Sequence, residues 1–76
     1  MEEKIIEILK RVRSNVDYEH EKNMVDDGLL DSFDVVGIVN ELVAEYDIEI
    51  EIDDITPENF NSVEAIAAMV ERLEEE

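Results

Sequence analysis

The chain has no cysteine, no tryptophan, one proline, two glycines and one histidine in 76 residues. Without cysteine, the chain itself offers no disulfide, no thiolate metal site and no thiol nucleophile. The single histidine, His20, stands in a polar stretch with no second group to complete a catalytic pair, and reads as a surface residue. Cations are scarce: six lysines and arginines face 23 acids, for a formal charge of −17. They are also unevenly placed. Lys4, Lys10, Arg11, Arg13 and Lys22 lie early and only Arg72 follows, so fourteen acids between Asn23 and Glu71 have no lysine or arginine among them. Such a field repels nucleic acid and anionic membranes and draws basic protein surfaces. Self-repulsion predicts a monomer whose stability depends on ionic strength. No apolar run approaches the roughly 18–20 residues that span a bilayer, and Glu2 and Glu3 open the chain where a basic-then-apolar leader would stand. The expectation is a soluble cytoplasmic protein without membrane insertion.

What is present is an apolar fraction of 45%, enough for one folded domain over residues 1–76. A core in so short a chain supports about 3–5 kcal/mol of stability. Ile5, Ile8, Leu9 and Val12 recur at helical spacing, which predicts an amphipathic helix over residues 2–14. Acids at its start and bases at its end suit the helix dipole, and Ser14 and Asn15 read as terminators. Residues 15–31 show little period. Intermittent apolar residues (Val16, Tyr18, Met24, Val25, Leu29, Leu30) anchor a long loop, and Gly28 after two aspartates supplies turn chemistry. Loops this long inside small domains tend to be functional.

Asp31 is positioned to cap the next helix, because its carboxylate accepts the free N–H groups of a first turn. Val35, Val36, Val39, Leu42, Val43 and Tyr46 then carry a helical period to about Tyr46. The valines and Gly37, which costs roughly 1 kcal/mol inside a helix, leave a strand over 35–39 as the competing reading; length and the cap favour the helix. Gly37 suggests a close approach by another backbone, a ligand or a partner, or is simply tolerated. Ile48, Ile50 and Ile52 alternate with acids but have no partner strand, so 47–52 is expected as an extended connector tucking its isoleucines inward. Thr56-Pro57-Glu58-Asn59 predicts a single turn from about Pro57 to Phe60, and Ser62 opens a last helix along Val63, Ile66, Ala67, Val70 and Leu73, with Glu74 to Glu76 fraying. The fold class is all-α: a small three-to-four-helix bundle with a long loop between its first and second helices.

Enzymatic readings find little support. No carboxylate pair is marked out by a dry pocket, no glycine loop cradles phosphate, and Asp26-Asp27-Gly28 lacks the ligand alternation of a roughly twelve-residue calcium loop. Ser32 differs. Serine at a helix start is ordinarily a cap, but here Asp31-Ser32 follows a long loop with a turn glycine and leads into Phe33, Asp34 and an apolar helix bearing Glu41 and Glu45.

Over residues 2–74 this order of elements, and above all Asp31-Ser32-Phe33-Asp34 leading into Val36, Val39, Leu42 and Tyr46, resembles the acyl carrier protein superfamily. The resemblance implies that Ser32 receives 4′-phosphopantetheine from coenzyme A through a separate, magnesium-dependent phosphopantetheinyl transferase, with Asp31 part of the signature beside it. It implies a non-catalytic carrier holding acyl or aminoacyl groups as thioesters for adenylating or acyl-transferring enzymes with basic patches. The docking candidates it names are Phe33, Asp34, Val36, Gly37 and Glu41, with Glu41 expected to stand exposed. Gly28-Leu29-Leu30-Asp31-Ser32 is similar to the form in D-alanyl and stand-alone peptidyl carriers, and Gly37 departs from the more acidic face of fatty-acid carriers. Two rival readings need no modification: an acidic helical adaptor for a basic protein, and an acidic mimic of nucleic acid, whose phosphate-like charge spacing is not evident.

Overall fold

A computed structural model describes all 76 residues, with four α-helices: α1 (Glu2–Val12), α2 (Ser32–Tyr46), α3 (Pro57–Phe60) and α4 (Val63–Glu74). There are no strands, so the competing β reading of 35–39 is not realised. No helix is long and apolar enough to cross a membrane. α1 packs against both α2 and α4, and α3 leans on α4. Each long helix brings one apolar stripe: Ile5, Ile8 and Leu9 from α1, Val35, Ile38 and Leu42 from α2, and Val63, Ile66, Met69 and Val70 from α4. Burying those stripes against one another is the main source of helix stability in a chain this short.

The long loop belongs to the core. Tyr18, Met24 and Leu30 are as buried as the helix stripes. The Tyr18 hydroxyl lies within hydrogen-bond reach of the Leu9 and Arg13 carbonyls at the end of α1. α1 ends at Val12 and not at residue 14. Arg13 is extended (φ −147°, ψ 112°) and its N–H closes on the Leu9 carbonyl at 2.8 Å.

The register of α2 differs from the reading of its valines. Val36 and Val43 face outward, and Ile38 occupies the core in their place. Charged pairs accompany this register. Asp34, Glu41 and Glu45 form one stripe along α2 and meet Arg13, Arg11 and Lys4 of the α1 side at 2.7, 2.7 and 3.9 Å. These pairs run in opposite chain order, so α1 and α2 are antiparallel, and they flank the inward Val35–Ile38–Leu42 stripe.

The connector after α2 also departs from expectation. Asp47 ends the helix in the left-handed region (φ 54°) with its N–H on the Val43 carbonyl. Ile48 is buried and Ile50 half-buried, but Ile52 is 85% exposed. Residues Ile52–Asp54 form a short 3-10 turn, held by the Glu51 N–H on the Asp54 carboxylate at 3.1 Å and the Asp54 N–H on the Glu51 carbonyl at 2.9 Å. That turn breaks the alternation before Ile52 can reach the core. Proline at the first helical position starts α3 as read, and Ser62 caps α4 by accepting the Ala65 N–H at 3.1 Å.

Candidate functional site

The sequence around Ser32 folds into a closed capping box. The Asp31 side chain accepts the Asp34 N–H at 2.9 Å, and the Asp34 side chain accepts the Asp31 N–H at 3.1 Å. Two donors that a helix start leaves unsatisfied are thereby paired. Ser32 is the first residue of α2, and with its neighbours bonding to each other across it, the Ser32 side chain carries no capping duty and stands exposed. Phe33 projects almost wholly into solvent, at 88% exposure.

Asp34 is the one charged residue in the buried set, at 8% exposure. Its Oδ2 accepts from Arg13 Nε at 2.7 Å as well as from the Asp31 N–H. Burial pushes the Asp34 carboxyl up, but the Arg13 guanidinium and the capping bonds outweigh burial and hold it below the usual carboxylate range. The hydrogen bond and charge of Asp34 in turn raise Arg13. Arg13 Nη2 also lies 3.9 Å from Asp31 Oδ2.

Beside Ser32 opens a groove of about 410 Å³. Val25 and Leu30 of the long loop form one wall, Val35 and Val36 of α2 another, and Ile55 and Phe60 the third. The loop wall is clasped by Asn61, between α3 and α4. Asn61 Oδ1 accepts the Val25 and Asp26 N–H groups at 2.9 and 3.1 Å, its Nδ2 donates to Asp26 at 3.0 Å, and its carbonyl takes the Met24 N–H at 2.9 Å. Gly28 (φ 76°) then reverses the chain so that Leu29 and Leu30 both donate to the Met24 carbonyl. Leu30 comes to rest in the core two residues before Ser32.

The five docking candidates therefore divide. Phe33 and Val36 are exposed on the outer side of α2. Asp34 is turned inward and paired with Arg13. Gly37 is half-buried, and a Cβ there would meet Val12 Cγ1 at 3.5 Å. Glu41 is half-buried and accepts Arg11 Nε at 2.7 Å, so the free carboxylate expected at that position is engaged by α1. The outward face of α2 offers Phe33, Val36, Asn40 and Val43, without an unpaired acid. Of the exposed acids around the Gly28 turn, Asp31 accepts the Asp34 N–H and Asp26 accepts the Asn61 Nδ2 proton, and Asp27 has no side-chain partner. His20 pairs only with Asp17, which raises it, and no group of His, Cys, Asp and Glu is arranged to hold a metal.

The sequence marks neither Arg13 nor Asn61 as a site residue. Arg13 is the last cation of the α1 segment, and only the antiparallel packing brings it to Asp34. No family model, no curated protein and no solved structure matches the chain.

Proposed function

We propose that this protein is a phosphopantetheine-dependent carrier, acting in the cytoplasm as a monomer, with Ser32 as the attachment point. The observation that carries the reading is an exposed serine hydroxyl at the start of a 15-residue helix, freed from capping by the Asp31–Asp34 box and set beside an apolar groove. In loading, the Ser32 oxygen bonds to the phosphorus next to pantetheine in coenzyme A. The pyrophosphate P–O bond breaks, adenosine 3′,5′-bisphosphate leaves, and the hydroxyl proton passes to a base of the transferase.

The residues present suit such a group. A phosphodiester on Ser32 would sit at the positive end of the α2 dipole, where anions are stabilised. Val36, Ile55 and Pro57 offer an apolar wall to a slender, mostly uncharged tether. When bound, the arm supplies a terminal thiol that holds an acyl or aminoacyl group as a thioester. A chain without cysteine keeps that thiol free of competition. The acidic surface suits brief, steered encounters with basic transferases and adenylating or acyl-transferring enzymes. Their contact with α2 itself would be apolar, through Phe33 and Val36, with the acids supplied by the surrounding surface.

The test is intact mass after incubation with coenzyme A, magnesium and a promiscuous phosphopantetheinyl transferase. The expected result is one phosphopantetheinyl increment that is absent from Ser32→Ala. No increment, under conditions that modify a control carrier, overturns the reading and favours an unmodified acidic adaptor for a basic protein.

A further inference from the structure

We infer that Arg13 is a positioning residue for the modification of Ser32: it holds the capping box, and through it the first turn of α2, in the geometry a modifying enzyme must meet. The inference rests on the carrier reading above. It comes from a convergence the helix start alone does not supply. One guanidinium, on the element that follows α1, bonds Asp34 at 2.7 Å and lies 3.9 Å from Asp31, so it joins the residues on both sides of Ser32. The same Asp34 oxygen that takes Arg13 Nε also takes the Asp31 N–H. The ion pair and the cap therefore share an atom.

Without Arg13, the Asp34 carboxylate is a buried charge with no cation. Such a charge is costly and is relieved by protonation or by swinging into water. Swinging out surrenders the bond to the Asp31 N–H and frays the turn in which Ser32 is the first residue. Protonation leaves Asp34 a weaker acceptor for the same N–H. In both cases Ser32 spends less time in the presented conformation, and the apparent affinity for a modifying enzyme falls by that fraction. Arg13 has a second effect. It neutralises one of two carboxylates beside the point where a phosphodiester anion would be added, and apart from Arg13 no cation is paired with Asp31 or Asp34.

The experiment is the steady-state loading rate, with coenzyme A, magnesium and the promiscuous transferase, for wild type, Arg13→Gln, Arg13→Lys, Asp34→Asn and the Arg13→Gln/Asp34→Asn double variant, each well below its melting temperature. Amide hydrogen exchange at Ser32, Phe33 and Asp34 is followed in parallel. Arg13→Gln is expected to lower kcat/KM about fivefold to tenfold, mainly through KM, by depleting the competent first turn. Arg13→Lys should recover part of the loss. The double variant should load no more slowly than Asp34→Asn, because Arg13 acts through Asp34, and exchange at the Asp34 amide should quicken in Arg13→Gln. If wild type is loaded and Arg13→Gln loads equally well, the positioning role is overturned and the carrier reading stands. Additive losses in the double variant also overturn it, since they show that Arg13 acts independently of the Asp34 carboxylate that closes the capping box. If wild type takes no increment, the carrier reading fails and this inference fails with it.

Discussion

Arg13 Nε and Asp34 Oδ2 meet at 2.7 Å across the junction of α1 and α2, and the carboxylate is buried while the guanidinium keeps one side in water. The pair makes the fold sensitive to acid at one identifiable place. Asp34 is held below its ordinary 3.8 in the folded chain, so near that value the unfolded chain binds the proton more readily. Its stabilisation is complete above about pH 4–5 and is lost as pH falls through the folded value. Asp34→Asn is expected to cost about 1–2 kcal/mol near neutral pH, from the lost charge-assisted bonds. The gap between wild type and Asp34→Asn should narrow as the pH drops below the ordinary carboxylate range. Denaturant melts across that range check it; a gap that stays constant with pH would show that the carboxylate titrates at the same pH folded and unfolded.

Half-buried Gly37 faces Val12. A Cβ there would lie 3.5 and 3.6 Å from the two Val12 methyls, which is ordinary contact. Gly37→Ala should therefore stabilise α2 by about 0.5–1 kcal/mol through helix propensity. It should leave Ser32 loading unchanged. A lower melting temperature would mean that α1 and α2 approach more closely than this packing shows.

The two faces of α2 call for opposite outcomes from similar truncations. Leu42 is fully buried, and Leu42→Ala is expected to cost about 2–5 kcal/mol as a core cavity, comparable to the roughly 3–5 kcal/mol a core this small supplies. Val36 is 55% exposed, and Val36→Ala should change stability by no more than about 0.5 kcal/mol. If Val36 belongs to the docking face, its truncation slows loading while the thermal melt stays put. Thermal melts of both variants, with loading rates for Val36→Ala, separate the effects.

Those faces mark where sequence reasoning succeeded and where it ran out. The starts of α2, α3 and α4 were legible because each has a local device: Asp31 as a cap, Pro57 at a first helical position, Ser62 as a cap. The loop anchors Tyr18, Met24 and Leu30 were legible as isolated apolar residues in a polar stretch. The inward face of α2 was not, because apolar residues at 35, 36, 38, 39, 42 and 43 cover a broad arc of the helix and period alone cannot rank two overlapping stripes within it. A further signal lay in the acids: Asp34, Glu41 and Glu45 share a side, and the cations that meet them all lie in residues 4–13. At the candidate site Ser32, Asp31 and Phe33 could be placed from local pattern. The inward turn of Asp34 depends on an ion pair 21 residues away in the chain, and the Ile52 reversal depends on a 3-10 turn whose acids look like a solvated strand edge.

Asn61 supports the groove from a distance, and its removal should show in dynamics before it shows in fold. Its side-chain oxygen serves the Val25 and Asp26 N–H groups, and Val25 is a wall of the groove beside Ser32. Asn61→Ala leaves both donors to water or to nothing, at an expected cost of about 1–3 kcal/mol. The Met24 N–H bond to the Asn61 carbonyl survives, since it uses the backbone, so the loop should loosen at 25–26 and not detach at 24. Hydrogen exchange is expected to quicken at the Val25 and Asp26 amides while the Met24 amide and the α4 core keep their protection. Asn61→Asp keeps an acceptor but sets a carboxylate against Asp26, which now receives the Asn61 Nδ2 proton at 3.0 Å, so it should loosen the same two amides by repulsion. Unchanged exchange at Val25 in both variants would mean that the loop is held by its buried side chains alone, and that the clasp contributes nothing to the groove.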